Sequence, residues 1–166
     1  MTKSRKQYII GVMGGAQVPA SVLDLAYELG ARIAVEGWVL LNGGRDAGVM
    51  RASAQGAKSR GGLTVGILPG DTRQQANPFI DIPIVTNLGD ARNVVNILSS
   101  DVVVVLPGGA GPLSEIALAL KNGKKICLLQ WQQQDFFASF AGEKQICFAE
   151  TVEQCIGNIK NLVMTL

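Results

Sequence analysis

Apolar and polar positions along the chain follow two alternating periods. Gln7–Met13, Trp38–Leu41, Leu63–Leu68, Ile82–Thr86, Val102–Leu106 and Lys125–Leu129 are short, largely apolar runs bounded by turn residues. Such runs mark strands buried on both faces. Gln145–Phe148 is a candidate for a short last strand. Between them, Val18–Val35 sets Val22, Leu25, Ala26, Leu29 and Ile33 on one helical face. Helices are also predicted over Asp46–Ser59, Ala91–Leu98, Pro112–Asn122 and Val152–Val163, with Gly123 at a C-cap-like position. No repeat, low-complexity tract or linker interrupts the pattern. Strands alternating with helices at this spacing predict a parallel sheet covered on both faces. The expectation is one α/β domain over residues 1–166, a Rossmann-like doubly wound sheet.

The glycines fall where that topology would use them. Gly14 and Gly15 follow the first strand, Asn42, Gly43 and Gly44 end the second, and Gly70, Gly89 and Gly108 follow the third, fourth and fifth. In a parallel sheet all of these turns lie at the carboxyl edge, where such folds bind ligands. The richest turn is Pro107-Gly108-Gly109-Ala110-Gly111-Pro112-Leu113-Ser114-Glu115. Its glycines let backbone amides crowd together, and the helix it opens adds free N–H groups and a positive dipole end. That combination is an anion cradle, most often for phosphate. Pro112 suits the first helical position. Ser114 is either a phosphate ligand or an ordinary helix-start serine.

Composition narrows the chemistry. In 166 residues, 48% are hydrophobic and 17% charged, as expected of one compact domain with a full core. A net charge of +2 gives no footprint for nucleic acid or an anionic membrane. Lys3, Arg5 and Lys6 read as a flexible leader, and Tyr8–Val12 is too short for a signal segment. A cytoplasmic location is expected. There is no histidine, so Ser-His-Asp and Cys-His catalysis and His-based metal sites are excluded. Cys127, Cys147 and Cys155 are odd in number with no close pair in sequence, which predicts free thiols, no zinc and no disulfide framework.

Two arginines support the anion reading. Arg92 follows Asp90 and Arg45 precedes Asp46, both read as N-caps. A cation there opposes the helix dipole by roughly 0.3–1 kcal/mol, a cost that an anion between them would offset. A solvated arginine, or one paired with a nearby Asp, is the competing reading. Asn93 and Asn96 share a helical face with Arg92 and would either bind ligand or cap local backbone. Glu115 is either a favourable first-turn acid or a carboxylate acting at a ribose centre. The dinucleotide fingerprint is incomplete, because the second strand ends in Asn42 rather than an acid, so NAD is a poor candidate. No P-loop motif is present either.

Pro107–Glu115 resembles the P-G-G-x-G-T-x-x-E motif of the LONELY GUY (lysine decarboxylase-like, SLOG) superfamily. Gly43-Gly44 and Gly48-Val49-Met50 are similar to its G-G-G-x-x-G-[LV]-M segment, and Arg92 aligns with its motif arginine. The resemblance implies nucleoside 5′-monophosphate phosphoribohydrolase activity, with Arg92 and Glu115 catalytic. The chain departs from it at Pro112, which replaces the motif threonine, at Arg45, where a small residue is usual, and at Gly89-Asp90-Ala91, which lack Met-His. Ile9–Gly15, Ala91-Arg92-Asn93 and Pro107–Glu115 are more similar to the molybdenum cofactor carrier proteins and their bacterial homologues. That resemblance implies binding of the molybdenum cofactor as cargo by a homo-oligomer, dimer or tetramer, with molybdoenzymes as recipients. The implied cradle is Gly14, Gly15, Asn42, Gly43, Gly44, Arg45, Arg92, Gly108, Gly109, Ala110, Gly111, Pro112 and Ser114. The aromatic cluster Trp131, Phe136, Phe137 and Phe140 would either cover the core or meet another subunit.

Overall fold

A computed structural model describes residues 7–166. The leader expected at Lys3, Arg5 and Lys6 lies outside the described residues. Seven strands run parallel: β1 (Ile9–Met13), β2 (Val39–Asn42), β3 (Thr64–Leu68), β4 (Ile82–Val85), β5 (Val102–Val105), β6 (Lys125–Leu129) and β7 (Ile146–Ala149). Their order across the sheet is β4-β3-β2-β1-β5-β6-β7. The helices are α1 (Ala20–Val35), α2 (Gly48–Ser59), α3 (Arg92–Ser99), α4 (Ala110–Lys121), α5 (Gln134–Ala138) and α6 (Val152–Val163). The α/β doubly wound fold expected from the periodicity is the fold observed.

Strand side chains alternate between two cores. Val102 and Val104 join Ile10, Leu40 and Cys127 under α1, α2 and α6, in a core that includes Leu29, Val49 and Ile156. Val103 and Val105 join Met13, Leu41 and Leu128 under α3, α4 and α5, with Ile97, Ile116 and Phe137. All four β5 valines are fully buried, which is why that segment reads as apolar without alternation. On the first face α1 and α2 approach at van der Waals distance. A Cβ on Gly30 would lie 2.0 Å from the Ser53 carbonyl oxygen, and one on Gly56 1.9 Å from that of Tyr27.

Several local expectations shift. α4 starts at Ala110, so Pro112 is its third residue; the first-turn amides lack intrahelical acceptors, and proline fits throughout that turn. α2 starts at Gly48 after Ala47, and Asp46 pairs with Arg51 instead of capping. A 3-10 turn over Gly89–Ala91 precedes α3, so Asp90 is not its N-cap. The short α5 was not anticipated from periodicity. β7 lies outside β6, so the strand that precedes the aromatic cluster is internal to the sheet. That cluster divides: Phe137 is buried and meets Trp131 edge to face, while Phe136 and Phe140 are exposed. Trp131 Nε1 donates to the Val105 carbonyl at 3.0 Å, closing the end of β5. Cys127 and Cys147 are register partners on β6 and β7, so strand pairing brings together two thiols twenty residues apart in sequence. All three cysteines are free; Cys147 acts to lower the Cys127 thiol, but Cys155 and burial push it far above its usual range, while contact with Cys127 and burial push up that of Cys147. Among the described residues no helix is long and apolar enough to cross a membrane, and no cluster of residues suited to a metal ion occurs.

Candidate anion-binding site

The chain leaves β1 toward β2 and returns through β5 on β1's other side. The connections from β1 and β5 therefore diverge, opening a crevice at their carboxyl ends. Its floor is a backbone contact. Gly15 N donates to the Pro107 carbonyl at 3.3 Å, and a Cβ on Gly108 would lie 2.7 Å from the Gly15 backbone. The first turn of α2 locks onto the same loop, with Val49 N donating to the Gly15 carbonyl at 3.1 Å.

Above this floor lies a cavity of about 410 Å³. Gly14, Gly15, Ala16 and Gln17 line it from the β1 turn, and Gly43, Arg45 and Met50 from the β2 turn and α2. Asp90, Arg92 and Asn93 come from the start of α3, and Gly109, Gly111, Pro112 and Glu115 from the start of α4. Three helices, α2, α3 and α4, thus begin beside one opening, and their leading amides and dipoles favour an anion. Ala110 and Ser114 line an adjoining trough along α4, which shares Asp90, Asn93 and Gly111 with the cavity.

The other expected ligands do structural work. Asn42 is fully buried. Its Nδ2 donates to the Met50 carbonyl at 2.8 Å and to Ser53 Oγ at 3.0 Å, and its Oδ1 accepts from Gly44 N at 2.8 Å. Gly44 sits at φ +73, with Leu68 and Gly66 filling the space a Cβ would need. Neither Asn42, Gly44 nor Gly108 lines the cavity. Met13, Gln17 and Met50 do; no sequence signal marked Gln17, and Met13 lay only within the family-like segment Ile9–Gly15. Met50 was visible only through the family-like segment that contains it.

Arg92 and Glu115 face the cavity from α3 and α4, and each is 7% exposed. Arg92 Nη1 donates to the carbonyls of Gly43 and Ile67, and Nε to Asn93 Oδ1 at 3.2 Å. Burial lowers the pKa of this guanidinium, while Glu115 acts to raise it. No ion pair joins Arg92 to Glu115 among the described residues. Burial pushes the Glu115 carboxyl up to about 7, although the Arg92 charge and the Asn96 amide act the other way. Asn96 is fully buried, with Nδ2 3.8 Å from Met13 Sδ and Oδ1 without a partner. Arg45 is exposed at the rim.

Fold and site together define a Rossmann-like protein with a glycine-lined cavity at its topological switch point. A model of the SLOG cluster4 family matches residues 7–156, and the chain belongs to that family. The molybdenum cofactor binding protein from Rippkaea orientalis superposes with a TM-score of 0.91 at 49% identity, covering 96% of this chain and 99% of that one. The molybdenum cofactor carrier protein from Chlamydomonas reinhardtii superposes with a TM-score of 0.90 at 42% identity, covering 96% and 99%. A cytokinin riboside 5′-monophosphate phosphoribohydrolase from Mycobacterium tuberculosis is 41% identical over 106 residues, which are 63% of this chain and 57% of that protein.

Proposed function

We propose that this protein binds the molybdenum cofactor, a phosphorylated pterin, as cargo, and protects it or hands it on without turnover. The observation that carries the reading is the cradle, where the first turns of α3 and α4 and both arginines line one open cavity. Likeness over nearly the whole chain to molybdenum cofactor binding and carrier proteins supports it. The reading extends to a cytoplasmic carrier that supplies molybdoenzymes and acts as a homo-oligomer. An apolar groove along α4 and α5, with Leu113, Phe136 and Phe140 exposed, is the face through which copies would associate. The test is to load the protein with cofactor released from a molybdoenzyme and to measure molybdenum and pterin after gel filtration. Both should co-elute with the protein in equal amounts. Elution of the pterin apart from the protein would overturn the reading.

A second reading rests on Arg92 and Glu115 sharing one cavity wall. A carboxyl poised near neutrality beside a guanidinium is suited to N-glycosidic cleavage of a nucleoside monophosphate. Against it, Pro112 offers neither hydroxyl nor amide to a phosphate. Adenine release from AMP that disappears in Glu115→Gln would put the hydrolase first.

A further inference from the structure

Glu115 is a buried carboxyl without a cation of its own. The guanidinium on the same wall gives Nη1 to the carbonyls of Gly43 and Ile67 and Nε to Asn93. An ionised carboxylate buried without a pairing partner is strongly disfavoured. The Asn96 side chain, as a hydrogen-bond partner of Glu115, favours the carboxylate against burial, but its unpartnered oxygen leaves a place for a donor. Asn96, which acts on Glu115 from α3, has its Oδ1 buried and unpartnered and its Nδ2 turned to Met13 Sδ. That corner has acceptors in surplus, and a carboxyl proton converts one acceptor to a donor.

We infer that Glu115 is held as the neutral acid, and that its proton belongs to the ligand site, where it is donated to a fully deprotonated oxyanion in the cradle. The inference rests on the anion-binding part of the reading above, not on the identity of the cargo. The remaining charged groups on the cavity wall are Arg45 from the β2–α2 turn, Asp90 from the turn before α3, and Arg92 from α3. The lining segment from β1 carries none. Arginine and aspartate side chains do not ordinarily change charge near neutrality. Glu115, with its carboxyl pushed up to about 7, is the group whose state would follow pH there. An anion that accepts its proton binds the protonated form. Affinity is then level below the free carboxyl's midpoint, and above it falls about tenfold per pH unit with uptake of up to one proton.

The experiment is calorimetric titration of the whole protein with inorganic molybdate, whose charge is constant over the range, from roughly pH 6 to roughly pH 9. Buffers of different ionisation heat count the protons taken up. Methyl phosphate forms a second arm, which distinguishes an oxo-metal end from a phosphate-ester end as the group in the cradle. The native curve should break near neutrality for at least one anion. Glu115→Gln, which keeps a donor but cannot titrate, should flatten it, and Glu115→Ala should bind weakly throughout. A native affinity independent of pH above neutrality, or a slope above neutrality that survives in Glu115→Gln, overturns the inference and leaves anion binding standing; the acid end of the methyl phosphate curve carries that ligand's own proton. No heat from either anion at any pH overturns both. Infrared titration of the ligand-free protein gives a second readout. A protonated carboxyl band should persist toward neutrality and be missing in Glu115→Gln; its absence from the native protein under mildly acidic conditions refutes the proposal.

Discussion

The turns after β2 and β5 are both glycine-rich, lie at the same sheet edge and precede helices, yet they are built for opposite purposes. After β2 the chain is filled by its own side chains. Asn42 holds both ends of the turn, Asn77 Nδ2 donates to the carbonyls of Gly44 and Arg45 at 3.1 and 3.2 Å, and Arg92 takes the Gly43 carbonyl. After β5, Gly108 packs on Gly15, but beyond it the turn is open, and a Cβ on Gly109 or Gly111 would meet nothing within 4 Å. Glycine serves packing in the first turn and access in the second. An asparagine beside a glycine pair therefore says nothing about ligands until its partners are known.

Replacing Arg92 with Ala should have the largest effect, because this side chain both holds the turn after β2 and lines the cavity. It leaves the Gly43 and Ile67 carbonyls without their donor and removes a cation from the cavity. A loss of about 3–4 kcal/mol in urea unfolding is expected, together with loss of anion binding by calorimetry. Asn42→Ala should separate the two functions. Three buried hydrogen bonds disappear, so a destabilisation of about 2–3 kcal/mol is expected. Molybdate affinity of the remaining folded protein should change less than fivefold. A larger loss of affinity, with stability intact, would make Asn42 a ligand and break the comparison.

Glu115→Gln should act on stability in a pH-dependent way. Burial pushes the folded-state carboxyl up to about 7, above the ordinary range of a glutamate, so the folded protein holds the proton more tightly than the unfolded chain. Stability from this group is complete below the unfolded value and is lost as pH rises through about 7. Above neutrality the native protein should consequently be less stable than Glu115→Gln by on the order of 2–3 kcal/mol, with the two converging in acid. Thermal melts at several pH values check this; parallel curves would show an ordinary carboxylate. Gly111→Ala should have the smallest effect on stability. Alanine in the first turn of α4 meets no atom and restricts the unfolded chain, giving a gain of about 0.5 kcal/mol. The methyl group borders the cavity, so molybdate affinity should nevertheless fall several-fold. Unchanged affinity would mean that the ligand does not approach this turn.

Periodicity along the chain was sufficient for the sheet, the two helical layers and the sheet edge at which the cavity opens. Each depends on residues near one another in sequence: an apolar run bounded by turns, a 3.6-residue stripe, glycines ahead of a helix. The boundaries moved by one or two residues where caps were misread, as at Asp46 and Asp90. Short α5, with only five residues, offered too little periodicity to detect.

The tertiary structure alone decided which side chains of the site were already engaged. Arg92 meets carbonyls 49 and 25 residues away, and Cys127 pairs with a residue on a strand that joins the sheet later. It also decided the chemical state of Glu115. In sequence, Glu115 is an acid in the first turn of a helix. Its protonation depends on the water excluded by α3 and α4 and on a guanidinium committed elsewhere. Local pattern fixes where the backbone turns, while desolvation and hydrogen-bond partnership are long-range properties that exist only once the chain has closed around the site.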